Sequence, residues 1–294
     1  MGLVYGVLAL AGLVAVGLFG LFMYAIRQAR RLPDNRPTAT FMASQQQQPV
    51  GRIVLVCAGD SITHGRVGAN YVERVQQQLP ANQYVVYNAG VNSDLSFTLL
   101  RRLDDIVATQ PDKVTILIGT NDVMAAVSDL ALNRYRSEGK IRPGDEPSLD
   151  SYRQNVGMIV QTFKTQTRAS IALLSLPLIT EKLTDPANQR ADAYSKALAE
   201  IAADEGIEYL PLRERQKAYL VQHPQSSRTT ALVDTRWLMV RSIFAHYVLG
   251  KSWDALTRAH GNQLTFDNLH QSDKAADQIA DLVQTFVERS AVNQ

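Results

Sequence analysis

Residues 53–65 read Ile-Val-Leu-Val-Cys-Ala-Gly-Asp-Ser-Ile-Thr-His-Gly, a continuous apolar run that is followed at once by small and polar residues. An unbroken apolar run of this length predicts a strand that is buried on both faces of a parallel sheet. The polar residues after it then lie at the carboxyl end of that strand. Open parallel sheets bind their ligands at this edge, so the polar residues there are candidates for a binding or catalytic site.

Four further apolar segments repeat this pattern, and stretches of helical periodicity separate them. We predict strands at 53–57, 84–87, 113–118, 170–175 and 207–210. We predict helices at 70–79, 95–107, 151–165, 186–205 and 271–289. Strands that alternate with helices in this way indicate an α/β domain, with a parallel sheet that is covered by helices on both sides.

The loops after the first three predicted strands are all rich in Gly, Asn, Ser and Asp. Ser61 follows the first strand, Gly90 follows the second, and Asn121 follows the third. A serine after a strand is most often a helix cap, so Ser61 alone is weak evidence of catalysis. Ester hydrolysis, however, needs a nucleophile together with hydrogen-bond donors for the oxyanion. The three loops meet at one edge and therefore predict a site of nucleophilic catalysis.

A serine nucleophile also needs a base, and the chain has only five histidines. His270 stands out because Asp267 precedes it by three residues, just before the last predicted helix. Side chains three residues apart on a helical turn lie side by side, so the carboxylate could hold the imidazole ring. Such pairs also arise by chance. The pair is therefore evidence of a catalytic site only together with the other segments.

Four separated segments, taken in order, resemble the motifs of the SGNH, or GDSL-type, hydrolase family. They are Gly-Asp-Ser-Ile-Thr, Asn-Ala-Gly-Val-Asn-Ser, Gly-Thr-Asn-Asp and Asp-Asn-Leu-His, at 59–63, 88–93, 119–122 and 267–270. The resemblance spans residues 53–289. It implies a flavodoxin-like three-layer α/β/α sandwich with a parallel sheet.

The resemblance also implies a role for each residue of the predicted site. It makes Ser61 the nucleophile, His270 the general base and Asp267 the acid that orients the base. Three donors would form the oxyanion hole, namely the N–H of Ser61, the N–H of Gly90 and the side-chain amide of Asn121. This serine mechanism needs no metal or other cofactor.

The first 26 residues carry no charged side chain, and residues 3–26 are long enough to cross a bilayer. Positive charge follows this run at Arg27, Arg30 and Arg31, with no side-chain charge before it. This order favours an uncleaved transmembrane anchor at 1–27 over a cleaved signal peptide. A buried soluble helix is the weakest alternative because the run is apolar on every face. The arginines favour a catalytic domain on the cytoplasmic side, with the exported side as the alternative.

Residues 28–50 contain three prolines and four consecutive glutamines and show no apolar period, which predicts a flexible linker. We assign residues 51–294 to the hydrolase domain.

Two segments of this domain are inserts. A compact member of the family does not need the first, at 213–263. Its apolar segment 237–249 is either a core helix or a lid or membrane-docking helix, with Trp253 at the interface. A second insert, 134–148, is polar and predicts an exposed loop.

Charge and cysteine content exclude several classes of function. The chain has 30 Lys and Arg against 28 Asp and Glu, and the first 50 residues have a net charge of +3. The remaining residues have a net charge of −1, which argues against a nucleic-acid-binding surface. The single cysteine, Cys57, excludes an internal disulfide and two-thiol redox chemistry. No cluster of His, Asp and Glu has the spacing of a metal site.

These observations favour a membrane-tethered serine ester hydrolase that acts on small-molecule or lipid esters, for example a lysophospholipase or a thioesterase. One alternative is an acyl- or acetyl-ester hydrolase or transferase that acts on carbohydrate. A catalytically silent membrane scaffold is another alternative. The sequence does not distinguish acyl chain lengths, alcohols or oligomeric states.

Overall fold

The computed structural model describes residues 2–46, 51–224 and 236–289. Five strands form one parallel sheet in the order β2-β1-β3-β4-β5. They are β1 (Ile53–Gly59), β2 (Tyr84–Gly90), β3 (Lys113–Leu117), β4 (Ser170–Leu174) and β5 (Glu208–Leu210). This order and the parallel pairing confirm the predicted flavodoxin-like sheet.

Fourteen helices occur in the described residues. They are α1 (Gly2–Arg30), α2 (Ala39–Gln46), α3 (Ser61–His64), α4 (Tyr71–Gln78), α5 (Ser96–Leu100), α6 (Leu103–Val107), α7 (Thr120–Val127), α8 (Asp129–Ser137), α9 (Leu149–Gln166), α10 (Pro186–Glu205), α11 (Leu212–Gln222), α12 (Arg236–Tyr247), α13 (Trp253–Ala259) and α14 (Asp273–Arg289).

The sheet has a separate hydrophobic core on each face. Alternate residues of β1 serve the two cores, because successive side chains of a strand point to opposite faces. Leu55 and Cys57 pack with α4 and α14, whereas Val56 and Ala58 pack with α6, α9 and α10. The three layers that result confirm the predicted α/β/α sandwich.

The predicted helix at 95–107 is in fact two short helices, α5 and α6, with a break at Arg102. The guanidinium of Arg102 turns back towards the sheet and donates to Ala89 O at 2.8 Å and Gly59 O at 3.1 Å. Its Nε donates to Asp94 Oδ2 at 2.7 Å. These long-range contacts bend the chain where local periodicity alone predicts one continuous helix.

Residues 31–46 contact the domain, although the sequence predicts a flexible linker here. Asn88 N donates to Asn35 O at 3.0 Å, and Asn35 Nδ2 donates to Val86 O at 3.0 Å, so this segment lies along the free edge of β2. Phe41 of α2 makes an edge-to-face contact with Tyr87, with ring centroids 5.2 Å apart. The last linker residues, 47–50, lie outside the described residues. The domain limits at 27 and 50 stay predictions.

Helix α1 is apolar and long enough to cross a membrane, with a mean hydropathy of 2.4 over its best window. Its side chains are exposed along most of its length. In its last two turns Ala25 and Ala29 are buried against α12. This finding confirms an apolar N-terminal helix, and both a membrane span and a signal sequence have this character.

The insert at 213–263 forms α11, α12 and α13, apart from residues 225–235, which lie outside the described residues. The apolar segment predicted at 237–249 is α12, where Ile243 is buried and Trp237 is 76% exposed. The expectation that Trp253 lies at an interface is wrong. Trp253 is only 4% exposed because its ring is stacked within the core.

The insert at 134–148 is not simply the exposed loop that its polar sequence predicts. Its first residues belong to α8, and Ile141 is buried with Tyr135 in a small separate core. Lys140 donates to Asp94 Oδ1 at 2.7 Å, so an ion pair with a buried carboxylate holds the middle of this insert against the domain.

Candidate active site

Ser61 is the first residue of α3, directly beyond the carboxyl end of β1. Asp60 caps this short helix, and its Oδ1 accepts a hydrogen bond from Ile62 N at 2.9 Å. Gly59 is required before the turn, since a Cβ there would lie 2.4 Å from Leu117 O. The turn therefore presents both the hydroxyl and the N–H of Ser61 at the sheet edge. No protein acceptor among the described residues meets that N–H.

The structure brings Ser61, His270 and Asp267 into one hydrogen-bonded chain. Ser61 Oγ lies 3.1 Å from His270 Nε2, and His270 Nδ1 lies 2.7 Å from Asp267 Oδ2. All three side chains are buried. When Nδ1 carries the ring proton and donates it to Asp267, Nε2 is the atom that accepts from the serine hydroxyl.

A tight turn before α14 holds the Asp267 carboxylate in place. Its Oδ1 accepts hydrogen bonds from the backbone N–H groups of Leu269 at 3.1 Å and His270 at 2.7 Å. Asn268 has a left-handed backbone with φ of 67°, and its carbonyl accepts from Thr180 N at 2.7 Å. One oxygen of the carboxylate therefore fixes the turn while the other holds the imidazole.

A column of stacked rings supports His270 from the side of the insert. The ring of Phe266 lies parallel to that of His270, with centroids 6.0 Å apart, and also stacks on Trp253 at 4.6 Å. Trp253 in turn stacks on His246 at 4.1 Å. Sequence analysis missed this column, because residues on three separate segments form it.

Asn121 lies at the start of α7 and lines the same cavity as Ser61. Two hydrogen bonds fix its amide: Tyr135 donates its hydroxyl to Oδ1 at 2.5 Å, and Nδ2 donates to Asp94 O at 2.8 Å. The second proton of the amide nitrogen has only a longer contact, 3.5 Å, with Asp60 Oδ2. Asn121 thus has a fixed orientation and one amide proton that is weakly held.

Gly90 does not have the geometry that the resemblance implies. Its N–H already donates to Asn88 Oδ1 at 2.9 Å, and it is not among the residues that line the cavity. A Cβ at this position would lie 2.1 Å from His64 N. The absence of a side chain therefore lets β2 approach α3, and we correct the oxyanion role expected for Gly90.

Ser93, three residues further on, meets the requirements that Gly90 lacks. It lines the cavity with Ser61 and Asn121, and its backbone is left-handed with φ of 62°. No protein acceptor in the described ranges meets its N–H. Sequence analysis missed this residue. The available signal was the turn-forming sequence Asn-Ser-Asp at 92–94.

Burial changes the protonation of several groups near Ser61. It raises the pKa of Cys57 to about 12, so this thiol stays protonated and is a poor nucleophile. Burial, and secondarily the charge of Arg66, lowers the pKa of His64 to about 4. Burial also raises the pKa of Asp60 to about 7. Asp60 therefore has a carboxyl group that titrates near neutral pH beside the serine.

The cavity at Ser61 encloses about 280 Å³, and widely separated parts of the chain line it. Ser61, Asn121 and His270 lie on one wall. The last turns of α1 and the first turns of α12 supply another wall, through Ile26 and Met239 among others. The end of the N-terminal helix is thus part of the candidate site.

Comparison with known proteins shows the family to which this chain belongs. The profile of the GDSL-like Lipase/Acylhydrolase family matches residues 57–237. The chain belongs to this family. It is therefore an enzyme that hydrolyses ester bonds. No curated protein matches the sequence.

Solved structures of acetylxylan esterases share the fold of this GDSL-family chain. The acetyl xylan esterase AlAXEase is 20% identical, with a TM-score of 0.58 over 80% of this chain and 100% of that chain. Axe2, an acetylxylan esterase from Geobacillus stearothermophilus, is 20% identical, with a TM-score of 0.54 over 80% of this chain and 94% of that chain. At this identity the likeness extends to the fold alone.

Within the described ranges, no group of three or more His, Cys, Asp or Glu side chains could hold a metal ion. The groups at the cavity instead provide a hydroxyl, an imidazole with a carboxylate behind it, and several N–H donors. These are the parts that acyl transfer through a serine requires.

Proposed function

We propose that the protein is a membrane-tethered serine ester hydrolase in which Ser61, His270 and Asp267 form the catalytic triad. The observation that carries this proposal is the continuous hydrogen-bonded chain from Ser61 Oγ through the imidazole to the buried carboxylate. A scaffold without catalysis has no physical need for this chain at the wall of a cavity.

In the proposed reaction, Ser61 Oγ attacks the ester carbonyl carbon while His270 Nε2 takes the hydroxyl proton. Collapse of the tetrahedral intermediate breaks the carbonyl–alkoxy bond, and the imidazolium gives its proton to the departing alcohol. A water molecule then attacks the acyl-serine by the same route and releases the acid. Asp267 stabilises the imidazolium and keeps Nδ1 protonated.

We assign the oxyanion hole to the N–H groups of Ser61 and Ser93 and to the side-chain amide of Asn121. Two features support this choice. Both N–H groups lack a protein acceptor in the described part of the chain, and all three residues line the cavity. Such donors stabilise charge that develops only in the transition state.

We propose that residues 1–27 are the anchor, residues 28–50 are the connecting segment and residues 51–294 are the catalytic domain. The arginines that follow the apolar run support a cytoplasmic catalytic domain. The cavity wall formed by α1 supports ester hydrolysis close to the membrane surface. This position favours membrane-associated esters as substrates.

A second candidate is an acetyl- or acyl-ester hydrolase that acts on carbohydrate. The fold shared with two acetylxylan esterases favours it. A profile of kcat/KM against acyl chain length separates the candidates. A maximum at acetyl supports the carbohydrate ester, whereas rates that rise through long acyl chains support the lipid ester.

The triad is tested with the purified full-length protein in detergent micelles. A fluorophosphonate probe should label the wild type, and Ser61→Ala should lose both labelling and at least about 10³-fold in kcat. Ser170→Ala is the matched control, because Ser170 is exposed at the opposite end of β4. Near-wild-type turnover by Ser61→Ala would rule out the triad.

A further inference from the structure

Three arginines from distant parts of the sequence line the cavity that holds Ser61 and His270. Arg30 lies in the last turn of α1, Arg134 lies on α8, and Arg236 is the first residue of α12. The catalytic domain as a whole is close to neutral. The positive charge is therefore concentrated at this cavity.

The carboxylates on the cavity lining do not pair with Arg30. Asp267 is paired with His270, and Glu138 is the other carboxylate on the lining. Glu138 forms a partly exposed ion pair with Arg134, with Oε1 3.6 Å from Nε. Arg30 makes no ion pair with any described residue. At least one guanidinium thus faces the cavity without a protein anion.

We propose that this cavity selects ester substrates that carry an anionic group, a phosphate or a carboxylate, which Arg30 and Arg134 bind while the ester carbonyl lies at Ser61. The proposal rests on the proposed hydrolase function and adds a class of substrate to it. A guanidinium presents a planar fork of donors that fits the oxygens of phosphate and carboxylate. Arg30 lines the cavity but is itself exposed, so water partly screens this pairing.

The position of Arg30 also indicates where such a substrate can come from. It follows the apolar run of α1 directly, at the level where a membrane span meets the headgroups. An anionic lipid ester would therefore meet Arg30 as its headgroup leaves the interface. A water-soluble anionic ester would reach the same guanidinium from the aqueous side.

The test compares two soluble acetate esters that differ only in charge, 4-acetoxyphenylacetate and its neutral amide, 4-acetoxyphenylacetamide. In both, the methylene group separates the charged or neutral end from the phenol that leaves. A second arm compares palmitoyl lysophosphatidylglycerol with 1-palmitoylglycerol, which has no phosphate, in mixed micelles. All measurements use the full-length chain. The measured quantity is the ratio of kcat/KM for the anionic ester to that for the ester without net negative charge.

We expect this ratio to exceed one in the wild type and to fall about 2- to 10-fold in Arg30→Gln, mainly through KM, as expected for the loss of an ion pair that solvent partly screens. Arg30→Lys should retain part of the preference. Arg27→Gln is the matched control, because Arg27 is exposed one turn earlier on α1 and does not line the cavity. Its ratio should equal that of the wild type.

A preference in both arms supports the proposal, and a preference confined to the lipid arm supports it with a lipid as the source. Equal ratios for the wild type and Arg30→Gln in both arms would overturn it. Hydrolysis of the neutral amide by the wild type reports separately on the proposed hydrolase function. Loss of that activity is therefore distinguishable from a loss of charge preference.

Discussion

At the residue scale, the orientation of Asn121 is set by its neighbours before any substrate arrives. The hydroxyl of Tyr135 and the carbonyl of Asp94 hold the two ends of its amide. A donor held in this way stabilises the oxyanion without the cost of reorganisation during the reaction.

Asn121→Ala should therefore lower kcat by about 10²- to 10³-fold with little change in KM, because the lost interaction belongs to the transition state. Tyr135→Phe is a graded control that keeps the amide and removes only one of its two anchors. Its loss should be smaller. A rise in KM alone in Asn121→Ala would instead identify a substrate-binding residue.

Asp60 makes stability depend on pH in a defined direction. Burial raises the pKa of Asp60 in the folded protein from 3.8 to about 7. Between these values the folded protein keeps a proton that the unfolded chain releases, so the free energy of unfolding falls as pH rises through this window. The stabilising contribution is complete below pH 3.8 and lost above about pH 7.

Asp60→Asn isolates this effect, since an asparagine keeps the cap on α3 and does not titrate. From pH 4 to pH 7, the free energy of unfolding of the wild type should fall relative to that of this variant. Denaturant unfolding at matched pH values measures it. Parallel profiles for the two proteins would contradict a raised pKa at Asp60.

Residue identity indicates the proposed triad more directly than it indicates the proposed oxyanion hole. Ser61, Asp267 and His270 carry their chemistry in their side chains, so the residue types themselves mark them. Every residue except proline has a backbone N–H, so the residue type does not identify a backbone donor. A serine in the left-handed conformation at position 93 is uncommon, and only the folded chain reveals which N–H lacks an acceptor.

At the element scale, the strands could be predicted from the sequence because each is a short and mostly apolar segment, and β1 begins as an unbroken apolar run. The boundaries of α10 at Pro186 and Glu205 also match the prediction, with Asp185 as its N-cap and Gly206 as its C-cap. The break between α5 and α6 could not be predicted, because the buried contacts of Arg102 impose it. The contacts of residues 31–46 with β2 are likewise tertiary.

The column of stacked rings predicts that Trp253, on α13, contributes to the stability of the fold. Trp253→Ala should cost about 3–5 kcal/mol in the free energy of unfolding, since it removes a buried ring between Phe266 and His246. Trp237→Ala, which changes a tryptophan that is 76% exposed on α12, should cost less than about 0.5 kcal/mol. Chemical denaturation in detergent compares them. Equal losses would argue against the column as a support.

At the scale of the whole molecule, the apolar helix α1 and the α/β domain are joined through a packed interface as well as through the chain. Ala25 and Ala29 pack against α12, and this contact brings the end of α1 to the cavity. The sequence predicts the two parts separately. Their contact could not be predicted, because small residues near the end of an apolar helix also suit a lipid environment.

We expect membranes to retain the full-length protein after a high-salt wash, because burial of some twenty apolar side chains far exceeds any surface attraction that salt can screen. Protease added to sealed right-side-out vesicles should leave the catalytic domain intact. Digestion from outside would contradict the cytoplasmic orientation. A mature, soluble form that lacks residues 1–26 would contradict the anchor.

The wall contributed by α1 has a consequence for maturation. A secretory signal peptide is removed from the mature protein. In this protein a peptidase that removed α1 would also remove Ile26 and Arg30 from the lining of the cavity. If α1 is the proposed anchor, release from the membrane would also change the wall that faces the substrate, so we expect a truncated recombinant form to differ from the full-length enzyme in substrate range.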